Sequence, residues 1–132
     1  MKKLLLVLGL TGLLALPFTA VANHHETNTA PKSVIHVVTV AWKAGTTPEQ
    51  IQAALDGAKK LPAQFKGITR VWTKAIKVQN PGGATVKKTH VIVMEFADEA
   101  ALTAYTDSPA QKEWYKVYTP IRETSTTFDV TN

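Results

Sequence analysis

The sequence contains no cysteine, and this absence excludes disulfide bonds and thiolate metal sites as sources of stability. It also lacks a glycine-rich phosphate loop, a nucleotide-binding fingerprint, a serine nucleophile elbow and a cluster with metal-ligand spacing. Because it has no cysteine, the chain must be stabilised by packing alone. We therefore expect no metal in the domain and no cofactor.

A strong charge is absent as well. The formal net charge of the whole chain is +5, and loss of Lys2 and Lys3 with the leader described below lowers it to +3. The remaining basic residues are scattered among acidic ones, which is typical of a solvated surface. We expect no nucleic-acid partner.

Residues 1–22 have the order of a secretory signal peptide. Lys2 and Lys3 precede an apolar run over residues 4–16, and small residues lead up to Ala22, after which we expect cleavage. A transmembrane anchor is the alternative, but the run is shorter than the ~20 residues that span a bilayer. We expect an exported protein, periplasmic or secreted, that has no membrane contact once the signal is cleaved.

Residues 23–33 are polar and have no periodicity, so they are predicted to form a flexible tail. After cleavage the chain would begin with Asn23, His24 and His25. A histidine third from a free amine supplies, with the amine and two backbone nitrogens, the square-planar nitrogen set that suits Cu(II) or Ni(II). The alternative is a solvated tail that binds no metal.

Residues 34–132 are predicted to form one α+β domain. The apolar, β-branched runs at 34–42 and 88–96 predict two central strands, and two further strands are expected at 67–78 and 124–130. Capping-box patterns at Thr47 and Ser108 each start a helix, and Asp98 starts another helical stretch. The order βαββαβ predicts a ferredoxin-like fold, in which a four-stranded antiparallel sheet in spatial order 4-1-3-2 carries its helices on one face.

One face of that sheet is expected to remain uncovered, because the helical layers cannot cover both sides. Period-two alternation places apolar and β-branched side chains on this face. An exposed apolar sheet face of this kind is normally buried against a partner, and a second copy of the chain is the simplest one. The predicted dimer face consists of Val37, Thr39, Val91, Val93 and Phe128.

Several short segments, in this order and spacing, resemble the stress-responsive A/B barrel (Dabb) family of dimeric α+β barrel proteins. The segments are His36-Val37-Val38 through Trp42-Lys43, Thr47-Pro48-Glu49-Gln50-Ile51, Leu61-Pro62-Ala63, Thr89-His90, Phe96 and Ser108-Pro109-Ala110. The resemblance implies a ferredoxin-like fold and a homodimer whose two sheets face each other. It implies little about activity, because fold does not fix function.

The polyketide cyclase branch of this family implies a pocket between helices and sheet. Its tyrosine and aspartate match Tyr105 and Asp129, whereas its histidine matches Gln111. Because an amide cannot act as a general base near neutral pH, the cyclase mechanism does not transfer unchanged.

His36 begins the first strand and Asp129 lies near the end of the last, so antiparallel pairing would bring their side chains together. A carboxylate next to an imidazole fixes its tautomer, which suits proton transfer. The same pair can equally be a structural hydrogen bond that closes a strand end. His90 belongs at the opposite end of the sheet, where it is interpreted as a satisfied polar residue.

Two other residues complete the set of candidate ligand contacts, which consists of His36, Tyr105, Gln111 and Asp129. Tyr105 has the helical spacing of a core residue, with a pocket wall as the alternative. Gln111 has the position of a capping-box partner of Ser108, with ligand contact as the alternative. No catalytic residue is assigned.

Two function classes follow. The first is an exported homodimer that binds a small apolar or aromatic ligand, or serves a stress-related role, without catalysis. The second is a cofactor-independent enzyme of the polyketide cyclase or monooxygenase type. The sequence does not name the ligand.

Overall fold

The computed structural model describes residues 32–79, 82–83 and 85–131. The predicted leader, and the Asn23-His24-His25 segment of the predicted tail, lie outside the described residues. The described chain forms four strands and four helices. These are β1 (Val34–Trp42), α1 (Pro48–Lys59), α2 (Leu61–Gln64), β2 (Ile68–Ala75), β3 (His90–Phe96), α3 (Glu99–Tyr105), α4 (Pro109–Tyr118) and β4 (Arg122–Val130).

The four strands form one antiparallel sheet in the order β2-β3-β1-β4, which confirms the ferredoxin-like prediction. The two apolar strands, β1 and β3, occupy the centre, where backbone groups pair on both sides. The register places Val37 opposite Val93 of β3 and opposite Phe128 of β4.

The core lies between the sheet and the helices. Strand side chains such as Val40, Ile92 and Phe96 are fully buried there against the helical residues Leu61 and Tyr105. Burial of these apolar side chains is the main stabilising contribution in a chain that has no disulfide. Among the described residues, no helix is both long enough and apolar enough to cross a bilayer.

The predicted helix starts are present. Thr47 forms a complete capping box with Gln50, and Asp98 Oδ1 accepts a hydrogen bond from the Ala101 amide at 2.8 Å. The box predicted at Ser108 is only half formed. Ser108 Oγ accepts from the Gln111 amide, but the Gln111 side chain accepts from the Asp107 amide instead of the Ser108 amide.

The backbone conformation at Asp107 accounts for the changed partner of the Gln111 side chain. Asp107 adopts a positive φ of 63°, which turns its amide toward the first turn of α4, and Ser108 N donates instead to Tyr105 O. In the tight α3–α4 connection, the Asp107 amide therefore donates to Gln111 and the Ser108 amide donates to Tyr105.

The outer sheet face carries a continuous apolar row across all four strands. Trp72, Val93, Val37 and Phe128 lie side by side in register, and the first and last are 42% and 50% exposed. Thr39 pairs with Val91 one step along the strands, so all five residues predicted for the dimer face share this face. Trp72 was not predicted, because the alternation in β2 is interrupted by a register shift between Ile68 and Arg70.

Candidate functional site

The side chains of His36 and Asp129 meet across the pairing of β1 with β4. His36 Nδ1 lies 2.6 Å from Asp129 Oδ1, as the antiparallel register predicts. The His36 side chain is 17% exposed and its ring packs edge-on against Phe96 at a centroid distance of 6.0 Å. The ring is therefore held in one orientation by a carboxylate on one side and an aromatic ring on the other.

This contact determines which ring nitrogen is available for chemistry. Since the Asp129 carboxylate can only accept a hydrogen bond, Nδ1 of a neutral His36 ring must carry the proton. Nε2 then presents a lone pair. A ring in this tautomer can accept a hydrogen bond or a proton from a bound molecule.

His36 forms part of the wall of a cavity of about 110 Å³ between the sheet and the helices. Ten residues line the cavity, and they are mostly aromatic or polar. They are His36, Val38, Tyr105, Gln111, Trp114, Tyr115, Tyr118, Arg122, Ser125 and Thr127. Three of the four predicted ligand contacts are thus in one wall, while Asp129 lies behind His36 and is not part of the lining.

Tyr105 contributes one of the two buried hydroxyls in this wall, the other being that of Tyr118. Tyr105 is 1% exposed and its ring packs against Phe96 and Phe65 at centroid distances of 5.3 and 5.5 Å. Its hydroxyl has no hydrogen-bond partner among the described residues. Burial raises the pKa of Tyr105, so the group stays protonated and available as a donor.

The two ends of the Gln111 side-chain amide have different roles. Its Oε1 accepts a hydrogen bond from the Asp107 amide at 2.8 Å, so the carbonyl end is committed to the helix start. The amide nitrogen, which carries two donors, is the end that can serve a molecule in the cavity. Gln111 is therefore both a helix cap and a cavity residue.

Sequence reasoning missed Arg122, which lines the cavity from the start of β4. The Arg122 guanidinium lies 5.2 Å from the ring centroid of Tyr118. Burial raises the pKa of Tyr118, while Ser125 and Arg122 beside its hydroxyl oppose that rise. Neither is placed to form a well-directed hydrogen bond with it.

Arg122 was missed because the last strand was predicted to begin at residue 124, and because a β-bulge changes the face on which Arg122 lies. The pairing of β1 with β4 shifts between Ala41 and Trp42, so Trp42 pairs with Arg122 although Ala41 pairs with Thr124. The extra residue moves Arg122 to the same face as Ser125 and Thr127. Uninterrupted alternation would have placed Arg122 on the opposite face.

His90 belongs to a separate arrangement at the other end of β1. Trp42 Nε1 donates a hydrogen bond to His90 Nδ1 at 2.9 Å, and the Thr89 hydroxyl lies 3.0 Å from the same nitrogen. His90 is thus a satisfied polar residue, as its position in the sequence suggested. No group of three or more histidine, cysteine or acidic side chains in the described part of the chain is arranged to hold a metal ion.

The family model of the stress responsive A/B barrel domain matches residues 34–132. A Dabb family protein with a ferredoxin-like fold from Mesorhizobium loti has a similar structure, with a TM-score of 0.61 at 23% identity. The alignment covers 76% of this chain and 96% of that one. A search of curated protein sequences finds no match.

Two further solved structures show the range of proteins that share the fold. A dimeric ferredoxin-like protein of unknown function from Thermobifida fusca has a TM-score of 0.62 at 20% identity, with 83% of this chain and 100% of that chain covered. The hydroxynitrile lyase from Passiflora edulis has a TM-score of 0.65 at 18% identity, with 76% and 94% covered. At these identities the similarity establishes the fold and not the activity.

Proposed function

Because the chain belongs to the stress-responsive A/B barrel family, whose fold is shared by dimeric proteins of unknown function and by an enzyme, we propose that it is an exported homodimer that binds a small molecule. The binding site is the cavity between sheet and helices, and the principal contacts are His36 and Tyr105. Binding, and not turnover, is the primary role.

One observation carries this proposal. The cavity wall contains two buried hydroxyls, on Tyr105 and Tyr118, that have no hydrogen-bond partner among the described residues, and an imidazole whose orientation is fixed by Asp129. A buried polar group without a partner costs about 1–3 kcal/mol, so a native structure rarely retains one unless something else satisfies it. A bound molecule that accepts a hydrogen bond from Tyr105 would recover this cost.

The homodimer is supported by the outer sheet face. The row from Trp72 through Val93 and Val37 to Phe128 has no helix over it in the described chain, and the Thermobifida fusca protein of this fold is dimeric. Burying an apolar row of this kind contributes about 25 cal/mol per Å² of area removed from water. A second copy presents the same row and would cover it.

Export is supported by the leader pattern of residues 1–22, with its charged start, apolar run and small residues before Ala22. The mature protein would then work in the periplasm or outside the cell. The absence of cysteine suits either oxidising compartment, since no thiol is left to mispair.

Native mass spectrometry of the protein purified from its own host tests these points together. We expect a species with twice the mass of a chain that starts at Asn23, and a further species that carries a small-molecule adduct. A monomer at micromolar concentration would contradict the homodimer. A dimer that never carries an adduct, from cells grown with or without stress, would contradict the binding role.

A second candidate is a cofactor-independent enzyme, and the His36–Asp129 contact at 2.6 Å favours it. An imidazole with a lone pair on Nε2, in the same cavity as a buried tyrosine donor, can remove a proton from carbon next to a carbonyl group. Deuterium exchange into acetone, followed by NMR, tests this activity because acetone fits the cavity. His36→Gln should abolish the exchange, and equal rates in both proteins would exclude the enzyme reading.

A further inference from the structure

The hydrogen-bonding groups of the cavity are unevenly divided between donors and acceptors. Arg122 supplies a permanently charged guanidinium, Tyr105 a protonated hydroxyl and Gln111 the amide nitrogen that its helix cap leaves free. These groups donate from three different elements, β4, α3 and α4. A molecule that satisfies them must present acceptor oxygens.

Nε2 of a neutral His36 ring can only accept, because Nδ1 donates to Asp129, whereas the hydroxyls that line the cavity can donate or accept. The charged and titratable groups around this ring are Asp129 and Arg122 on β4, Tyr105 on α3, and Tyr115 and Tyr118 on α4. From β3 the ring meets Phe96, which does not titrate. Asp129 and Arg122 therefore supply one negative and one positive charge.

With a bound anion, the summed charge of Asp129, Arg122 and the anion would be −1. A proton on His36 Nε2 restores neutrality, since the imidazolium lies between the Asp129 carboxylate and the anion. Charges that pair in a partly desolvated site attract each other more strongly than in water, and that attraction favours uptake of the proton together with the anion.

The volume limits the size of the molecule. A cavity of about 150 Å³ in another protein accommodates benzene, so the 110 Å³ found here suits a molecule slightly smaller than a benzene ring. A linear polyketide does not fit this volume. A carboxylic acid of about three or four carbons does.

We propose that the cavity binds a small aliphatic carboxylate, held by Arg122 and Tyr105, together with one proton taken up by His36. The proposal rests on the proposed function and specifies its ligand class. The proton comes from solvent, it binds to Nε2, and no covalent bond of the ligand changes. On release, the carboxylate leaves the cavity and the proton returns from His36 Nε2 to solvent.

Isothermal titration calorimetry with propionate and propionamide tests the proposal, because the two molecules have the same shape and differ in charge. At about pH 8, above the ordinary range in which a histidine ring titrates, titration in two buffers of different ionisation enthalpy reports the protons taken up. We expect propionate to bind about tenfold to a hundredfold more tightly than propionamide, the range that a hydrogen bond to a charged group contributes. We also expect close to one proton taken up for each propionate bound.

Two variants assign these effects. Arg122→Gln should remove the preference for propionate while binding of propionamide changes little, and His36→Gln should remove the proton uptake. Equal binding of both probes without proton uptake would overturn the carboxylate proposal and leave the binding role in place. If neither probe binds and native mass spectrometry finds no adduct, the carboxylate proposal and the binding role both fail.

Discussion

Trp42 and His90 are joined by a hydrogen bond in which indole Nε1 donates to ring Nδ1 across 2.9 Å. The indole nitrogen can only donate, so Nδ1 of His90 must be unprotonated and the neutral ring carries its proton on Nε2. A second proton, on Nδ1 of His90, would point this N–H at the N–H of Trp42, and two donors cannot form a hydrogen bond. Burial lowers the pKa of His90, in agreement with this contact.

The first prediction concerns stability below neutral pH. The unfolded chain binds a proton at His90 near pH 6.5, whereas the folded protein takes it up only at lower pH. Between these values the unfolded state binds more protons, so the free energy of unfolding decreases as pH falls. Chemical denaturation between about pH 8 and pH 5 measures the slope.

His90→Gln provides the matched variant, because a glutamine oxygen can still accept from Trp42 but does not titrate. The variant should lose stability less steeply than the wild-type protein over the same pH range. Parallel slopes in the two proteins would show that His90 is equally protonated in the folded and unfolded states.

The second prediction concerns the outer sheet face. Val93→Glu places a carboxylate at the centre of the apolar row, where a second copy would bury it against apolar side chains. The dimer should weaken by on the order of 3 kcal/mol or more and dissociate. Val117→Glu is the control, because Val117 is 44% exposed and lies on α4, away from the sheet face.

Analytical ultracentrifugation at micromolar concentration measures whether each variant is a monomer or a dimer. A Val93→Glu protein that remains folded and dimeric would mean that the two copies meet through another surface. Circular dichroism distinguishes a dissociated protomer from one that has unfolded.

The third prediction separates stability from binding at Tyr105. Tyr105→Phe removes a buried hydroxyl that has no partner among the described residues, so it should raise the free energy of unfolding by about 1 kcal/mol. The same change should weaken propionate binding. Tyr115→Phe, at a more exposed ring in the same wall, should leave stability unchanged. A loss of stability in Tyr105→Phe would indicate that the hydroxyl is satisfied in the free protein.

The site was predictable where it depends on regular geometry. β1 and its partners follow from apolar and β-branched runs, and strict antiparallel pairing then brings His36 to Asp129 from opposite ends of the chain. Likewise the row of Val37, Val93 and Phe128 follows from period-two alternation on three strands. Neither result needs information about loops.

The rest of the site depends on local irregularities. Arg122 enters the cavity only because a bulge next to Trp42 reverses the alternation, and nothing in the sequence of β4 marks the extra residue. Gln111 accepts from Asp107 because Asp107 adopts a positive φ, which a non-glycine residue rarely does. Periodic sequence patterns describe whole strands and helices and do not reveal an irregularity at a single residue.

Native mass spectrometry of His36→Ala beside the wild-type protein determines whether a small molecule binds at His36. His90→Ala is the control, because His90 lies outside the cavity lining. We predict that wild-type and His90→Ala dimers carry the adduct and that the His36→Ala dimer does not. A His36→Ala dimer that keeps the adduct, and loses only the roughly 1–3 kcal/mol of stability expected for an unpaired Asp129, would contradict it.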